Sequence, residues 1–412
     1  MKPLLILGTT WPEPQATAAG GHMQQLINFF VQQEYQITFA STTSESDLSM
    51  DFESLGIQKQ HVLLNHDSFD TFLLELKPQI VLFDRFLMEE QFGWRVAEFA
   101  PEALRILDTE DLHSLRKTRE TAFKKDKRWT PQYWQQADST KREIASIYRS
   151  DLSLIISSFE MELLQNTLKI DSDLLLHLPF LLDGITRSES DALPTFEKRA
   201  DFLCIGNGKH SPNVDAIVWL KKEIWPLIKK ALPETKLNIY GAYLPEYVNQ
   251  MNDPKQGFLV HGWAANKEEI FKNSRINLAP LRFGAGIKGK LIDAMQAGTP
   301  SITTAVGAEG MHGALDWSGS ITENAAQFAH AAIALYEDEI SWATAQKNGI
   351  AIVNQLHNKK IGYDALRKKL AFLAQHLKAH RAQNFIGALV QHQTMASTKY
   401  MSKWIAAKNK KD

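Results

Sequence analysis

The sequence predicts an α/β protein made of two Rossmann-like parallel-sheet domains facing across a cleft. Three observations point there. The chain has 412 residues, too many for one ordinary core, so two domains are the default. Short apolar runs alternate with helical stretches, the order that folds as a parallel sheet covered on both faces. The alternation stops at a polar segment beginning at Gly184 and then restarts over a comparable length.

In chain order, Leu4–Gly8 reads as the first strand. The glycine-containing loop Ala18-Ala19-Gly20-Gly21 follows, then a helix from His22 to about Gln33. Further strands are expected at Gln36–Ala40, Ile80–Phe83, Leu104–Leu107, Leu152–Ile156 and Leu174–Leu178. Gly184–Ala200 carries Ser, Pro and Gly without apolar periodicity and reads as a linker. It separates a domain at 1–185 from a second at 201–380, with the linker itself at 186–200. The second domain restarts with strand Phe202–Ile205 and a long amphipathic helix, Val214–Leu232. Strands Leu237–Tyr240, Phe258–Val260, Ile276–Ala279 and Ile302–Ala305 complete it. Open parallel sheets bind ligands beyond the carboxyl ends of their strands, so the cleft between two such sheets is the expected site.

Composition narrows the function classes. Hydrophobic residues at 44% and charged residues at 23% are ordinary for a globular protein. The 46 basic against 47 acidic residues exclude a globally basic nucleic-acid binder. A lone cysteine, Cys204, allows no internal disulfide and gives no sign of an oxidising compartment. The run Leu4–Leu7 is far shorter than the ~20 apolar residues of a membrane span, and no later run qualifies. A cytoplasmic protein is expected, with any membrane contact peripheral.

The segment richest in chemistry is Arg275–Gly310. A strand ends near Leu281, glycines follow, and a helix starts around Lys288, with Gly298 and Pro300 ending it. A glycine turn opening a helix presents free N–H groups and the positive end of the helix dipole, which makes an anion site suited to phosphate. Lys288 and Lys290 add charge. Two familiar patterns match literally. Gly284-x-Gly286-x-x-Gly289 satisfies the dinucleotide fingerprint, with Glu309 ~20 residues on, but that fingerprint belongs to the first strand-helix unit of its domain. Gly284-x-x-x-x-Gly289-Lys290 begins a P-loop, yet Leu291 stands where Ser or Thr must hold magnesium.

The whole segment resembles the donor-binding signature of the retaining group-1 glycosyltransferases (family four), which share the two-domain GT-B architecture. The resemblance rests on Pro280, Gly284 to Gly289, Leu291-Ile292-Asp293-Ala294-Met295, Ala297-Gly298-Thr299-Pro300 and Gly307-Ala308-Glu309-Gly310, in that order. It implies transfer of a sugar, with retention, from a nucleotide-sugar to a glycan or lipid-linked acceptor, as in polysaccharide or lipopolysaccharide biosynthesis. It also implies roles by position. Lys288, with the amides of Ala285 and Gly286 in the Gly284 turn, would hold the donor diphosphate, joined by Lys209 after Gly206-Asn207-Gly208. Asp293 stands for the second of two family glutamates and would accept hydrogen bonds from the ribose; the first falls on Ala285. His261-Gly262-Trp263 marks the nucleobase end, and Gly20-Gly21 matches the acceptor-side glycine loop that abuts the donor phosphate. Within Leu107–His113, Glu110 or His113 would touch the sugar or polarise the acceptor hydroxyl. Asp108 or Asp111 capping the next helix is the structural alternative. The family's last helix crosses back onto the first domain, which assigns 381–412 to that role through Phe385, Ile386, Leu389, Val390, Tyr400, Met401, Trp404 and Ile405. Lys408, Lys410 and Lys411 would then stay solvated.

No metal or other cofactor is expected. No Asp-x-Asp lies near a strand end, and His210, His261 and His312 lack ligand spacing. The basic, aromatic stretch Leu115–Tyr133 is either a solvated helix or a peripheral contact with an anionic membrane. Alternatives on the same architecture are a nucleotide-sugar epimerase, a phosphorylase, or a catalytically lapsed binding or scaffold protein, the last made conceivable by Ala285.

Overall fold

The computed structural model describes residues 2–392 together with residues 397, 400, 401, 404 and 408. Two parallel sheets organise them. The first has seven strands: β1 (Lys2–Gly8), β2 (Tyr35–Ser41), β3 (Gln58–His61), β4 (Ile80–Asp84), β5 (Leu104–Asp108), β6 (Leu152–Ile155) and β7 (Leu175–His177). Their spatial order is β3-β2-β1-β4-β5-β6-β7. The second has six: β8 (Ala200–Ile205), β9 (Leu237–Tyr240), β10 (Phe258–Gly262), β11 (Ser274–Ala279), β12 (Ser301–Thr303) and β13 (Gly319–Ile321). These run β10-β9-β8-β11-β12-β13. Chain order reverses between β1 and β4 and again between β8 and β11. The crevice for a ligand opens at such switch points.

Both faces of each sheet are covered. Leu5, Leu7, Val81, Phe83 and Leu107 point into one core layer of the first domain, while Leu4, Ile6, Leu82 and Ile106 point into the other. Successive residues of a strand face opposite ways, so burying both faces requires unbroken apolar runs. That is why these strands were legible. The polar β3 (Gln-Lys-Gln-His) and the short β13 were not. Both lie at sheet edges and are held by parallel pairing, Thr38 with Gln58 and Ile302 with Ser320.

Several boundaries differ from expectation. The first helix is Ala18–Gln32, capped by Thr17, whose Oγ1 accepts the Gly20 N–H at 2.9 Å. Gly20 and Gly21 therefore sit inside its first turn and not in a loop. The helix expected at Val214–Leu232 is Ser211–Trp219, a π-helical turn at Leu220–Ile224, and Trp225–Ala231. Pro226 lacks an N–H and crowds the preceding turn, which accounts for the break. The linker is pinned: Thr186 and Glu189 form a capping box on a short helix, Arg187–Asp191. Arg199, fully buried, donates to the carbonyls of Phe271 and Ala297 and to Thr299.

The return to the first domain begins earlier than residue 381. The Leu182 N–H donates to His357 O at 2.8 Å and the Lys359 N–H to Leu182 O at 2.7 Å. Helix Lys359–Gln383 then buries Tyr363, Leu366, Leu370 and Leu373 in the core that contains Leu4 and Phe29. Helix Phe385–Gln391 follows, tied by Asn384 Nδ2 to Tyr148 O at 2.8 Å. Phe385, Ile386 and Leu389 are exposed on it, as are Tyr400, Met401 and Trp404. Ile405, Lys410 and Lys411 lie outside the described residues. Among the described residues, no helix is long and apolar enough to cross a membrane.

Candidate active site

A cavity of about 250 Å³ lies between the domains, at the switch points of both sheets. The donor-side wall is the turn after β11. Gly284 has φ +153° and Gly286 φ +63°, and a Cβ on Gly286 would meet Asp111 Cβ at 2.7 Å. The helix that follows, Gly289–Gln296, starts against the start of the first-domain helix: a Cβ on Gly289 would lie 2.6 Å from that of Ala18. Two helix N-termini thus converge on one space, and both favour an anion.

Lys288 lines this space, with Nζ 2.7 Å from Gly286 O. Burial lowers its ammonium to about 8, against the opposing pull of Glu309. Lys290 also lines the cavity and donates to Asn213 Oδ1 at 2.7 Å. Gly206, Asn207 and His210 after β8 complete this side. Lys209 is not brought in; it is exposed, with Nζ 3.5 Å above the Tyr243 ring.

The amide of Gly286 does not face the cavity. It donates to Glu160 Oε1 at 2.8 Å, and the Leu112 N–H shares that oxygen at 3.1 Å. Burial, reinforced by Asp111, pushes Glu160 up to about 8. Ala285, standing where the family's first glutamate falls, packs its methyl among first-domain core residues that include Leu112 and Leu115. Ala285 is at the same time a wall residue of the cavity.

Further along, Asp293 lines the cavity and is gripped by Lys267, whose Nζ is 3.1 Å from each carboxylate oxygen. Burial raises the Asp293 carboxyl, and Lys267 opposes that. Trp263 is also in the wall, 47% exposed. His261 and Gly262 are not wall residues. His261 bonds Asn238 Oδ1 at 2.9 Å and stacks on Tyr240, while the Gly262 carbonyl accepts the Gly241 N–H.

On the first domain, Thr17, Ala18 and Ala19 face the cavity, and Gly20 and Gly21 lie just behind them in the helix. Glu110 and His113 are wall residues, with Arg85, Asp111 and Arg116. Glu110 and Arg85 hold φ of +59° and +72°, rare for side-chain-bearing residues and a form of strain that gathers at working sites. His113 Nε2 lies 3.3 Å from Asp111 Oδ1, yet burial lowers its imidazole to about 4. Neither Asp108 nor Asp111 caps the helix His113–Lys124. Glu143 does, accepting the N–H groups of His113 at 2.8 Å and Ser114 at 3.0 Å.

The sequence offered no signal for His22. It is fully buried, with Nδ1 3.6 Å from Asp108 Oδ2 and 3.5 Å from Glu110 Oε1. This trio is the one group of His, Asp and Glu among the described residues whose geometry could hold a metal ion, which the expectation of no metal did not foresee. Burial works against charge on His22, but Asp108 and then Glu110 raise it to about 9.

Of the basic stretch, Lys117, Lys124, Lys125, Lys127 and Arg128 are exposed, while Arg119 turns inward. Arg119 donates to Gly284 O at 3.0 Å and forks onto Glu309, and Phe123 packs on Phe283. The dinucleotide reading of Glu309 fails on the same contact, since its carboxylate is held by Arg119 outside the cavity wall.

Residues 199–338 match the family model described as Glycosyl transferases group 1. No curated protein matches the chain. Among solved structures, the fold is similar to sucrose-phosphate synthase from Thermosynechococcus elongatus, with TM-score 0.67 and 15% identity over 92% of this chain and 100% of that one. It is similar to Anabaena Alr3699/HepE in complex with UDP-glucose, with TM-score 0.66 and 12% identity over 90% and 100%. WaaG, a glycosyltransferase involved in lipopolysaccharide biosynthesis, gives TM-score 0.60 and 12% identity over 88% and 98%. At these identities the structures speak for the shared two-domain GT-B fold, while the family match covers the domain that carries the glycine turn and both lysines. The match thus places a group 1 glycosyl transferase segment at residues 199–338, in the second domain of a two-domain GT-B fold.

Proposed function

We propose that this protein transfers a hexose-type sugar from a nucleoside diphosphate donor to a hydroxyl of a glycan or lipid-linked acceptor, with retention and without a metal ion. The observation that carries the reading is the convergence of Lys288, Lys290 and two helix N-termini on one interdomain cavity. When the bond between the anomeric carbon and the diphosphate oxygen breaks, negative charge grows on the diphosphate. Fixed cations and amide dipoles in a closed cleft stabilise that charge without reorganising. The acceptor oxygen bonds to the anomeric carbon and its proton passes to the departing diphosphate, so no protein base is required.

Asp293 suits the ribose hydroxyls and Trp263 the base, leaving the sugar beside Glu110, Arg85 and His113. Retention follows from the family resemblance. A neighbour solved with UDP-glucose and another named for lipopolysaccharide biosynthesis support UDP-sugars as first donors and a cell-envelope acceptor, met at the cytoplasmic face of a membrane. The test is a thermal-shift and calorimetry screen across nucleoside diphosphates and their sugars, followed by transfer assays with and without chelator. Micromolar UDP or other nucleoside diphosphate binding with chelator-resistant transfer is expected. Free epimer or sugar phosphate without acceptor product would refute transfer, and binding without turnover would favour a lapsed scaffold.

A further inference from the structure

We propose that the helix Phe385–Gln391, with the basic segment that continues from it, is a docking surface for an anionic phospholipid membrane. The docking does not need the glycosyltransferase reading; its service to a lipid-linked acceptor rests on that reading.

From Ala365 to Lys411 the sequence holds ten Lys and Arg residues and no Asp or Glu, while the rest of the chain carries 36 basic against 47 acidic. A long basic run on an otherwise acidic chain suits a negatively charged surface. Part of its charge is used within the protein. Arg381 forks onto Asp151 through two bonds of 2.7 Å, and Arg367 pairs with Asp364. Two carboxylates, Asp171 and Asp173, border Phe385 and Ile386 together with Lys169, and Lys369 lies 3.8 Å from Asp173. The rest is outward: Lys368, Lys378 and Lys408 are exposed, and the sequence adds Lys399, Lys403, Lys410 and Lys411.

An apolar side accompanies this charge. At about 3.6 residues per turn, Phe385, Ile386 and Leu389 fall on one side of their helix. Gly387 falls on the other and is pressed against the first domain, where a Cβ would run into Tyr148 O. The helix therefore cannot roll to hide its apolar side, and Phe385 stays 71% exposed. Tyr400, Met401 and Trp404 are exposed further along, with Lys408 Nζ 5.4 Å from the Trp404 ring. Exposed apolar and aromatic side chains among lysines are the composition of a segment that lies in a lipid headgroup layer. A nucleic acid would leave the apolar side uncovered. A second copy meeting this patch with its own would set like charges against each other.

The location also fits. Arg381 Nη2 donates to Ala103 O at 2.7 Å and His380 Nε2 lies 2.8 Å from Asp151 O, so the preceding helix ends beside the amino ends of β5 and β6. The cavity lies past the carboxyl ends of the same strands, at Glu110, Asp111 and Ile156. A membrane met at the docking surface leaves the cavity uncovered.

The test is co-sedimentation of the full-length protein with vesicles, phosphatidylglycerol and phosphatidylcholine in equal parts against phosphatidylcholine alone. Binding to the anionic vesicles should be at least ~10-fold tighter and should fall steeply as salt rises to about 0.5 M. The triple variant Phe385→Ser, Ile386→Ser, Leu389→Ser should bind them ~10-fold more weakly, and Lys399→Gln, Lys403→Gln, Lys408→Gln by a similar factor. Both variants should keep the wild-type melting temperature and UDP affinity, since none of these residues lines the cavity. If the serine variant melts lower, the glutamine variant decides alone. Equal binding to neutral vesicles, binding to neither, or undiminished binding by the variants would each overturn the proposal. Salt-sensitive binding of similar strength to duplex DNA would show that the lysines meet any polyanion and overturn the lipid assignment. A wild-type dimer broken by the serine variant would make the patch an interface between copies and overturn it too. Failure of every protein to bind nucleotide would count against the glycosyltransferase reading alone, because the vesicle arm needs no donor.

Discussion

Arg119 of the first domain grips Glu309 of the second through two parallel bonds, Nη1 to Oε1 at 2.7 Å and Nη2 to Oε2 at 2.9 Å. The same guanidinium donates to Gly284 O and lies over the rings of Trp129 and Phe159. A bidentate, largely buried pair of this kind fixes geometry as well as adding energy. Arg119→Ala should destabilise the closed arrangement by about 1.5–3 kcal/mol. Small-angle scattering should then show a larger radius of gyration, and donor KM should rise. Unchanged scattering and KM would remove this contact from domain closure.

Lys288→Ala should weaken UDP or the preferred nucleoside diphosphate by ~10–100-fold, about 1.4–3 kcal/mol, with the fold intact by circular dichroism. Because the Lys288 ammonium is lowered to about 8, wild-type affinity should decline above pH 8 as that charge is lost. The alanine variant should lack this decline. Calorimetry across pH reads both effects, and equal affinity in the two proteins would refute the placement of the phosphates.

Glu160 joins the domains through one oxygen, shared by the N–H groups of Leu112 and Gly286. Glu160→Ala leaves both amides buried without a partner and should cost about 2–4 kcal/mol in denaturant unfolding. Glu160→Gln retains an acceptor oxygen and should stay within about 1 kcal/mol of wild type. Equal losses in the two variants would show that side-chain volume matters here and the hydrogen bonds do not.

Stability should fall as pH rises from 6.5 to 8. Asp108 and Glu143 are raised to about 7, Glu160 to about 8 and His22 to about 9. A folded-state value above the unfolded one means that the folded protein holds the extra proton between the two. His22 therefore contributes stability that is full below 6.5 and lost towards 9, and each raised carboxyl costs stability from its unfolded value up to its folded one, Asp108 and Glu143 up to about 7 and Glu160 up to about 8. Each such proton changes stability by about 1.4 kcal/mol per pH unit. His113, lowered to about 4, acts with the opposite sign but only below 6.5, outside this window. Melting temperatures at constant ionic strength check this, and a higher value at pH 8 than at 6.5 would contradict it. In Glu160→Gln the slope should be shallower.

The donor side of the site was legible because its chemistry is local. Gly284, Gly286, Gly289, Lys288 and Asp293 lie within ten residues, and their spacing on a turn and one helix makes a pattern that can be read without the rest of the chain. Lys209 and His261 fit the same pattern by position, but their side chains find Tyr243 and Tyr240 instead of the cavity. Position along a strand end does not settle which way a side chain points.

The sequence by itself determined the two parallel sheets, since strands buried on both faces must be written as unbroken apolar runs, and it determined the glycine turn with its lysines. Only the tertiary structure decided what crosses between elements. It turned the Gly286 amide to Glu160, set the Ala285 methyl into the first domain's core, drew Arg119 onto Glu309, and placed His22 between Asp108 and Glu110. His22 is separated from Asp108 by 86 positions and Arg119 from Glu309 by 190. Charge pairing across such separations leaves no periodicity in the chain. It exists only once the packing of both domains has excluded water and made an unpaired charge too costly to keep.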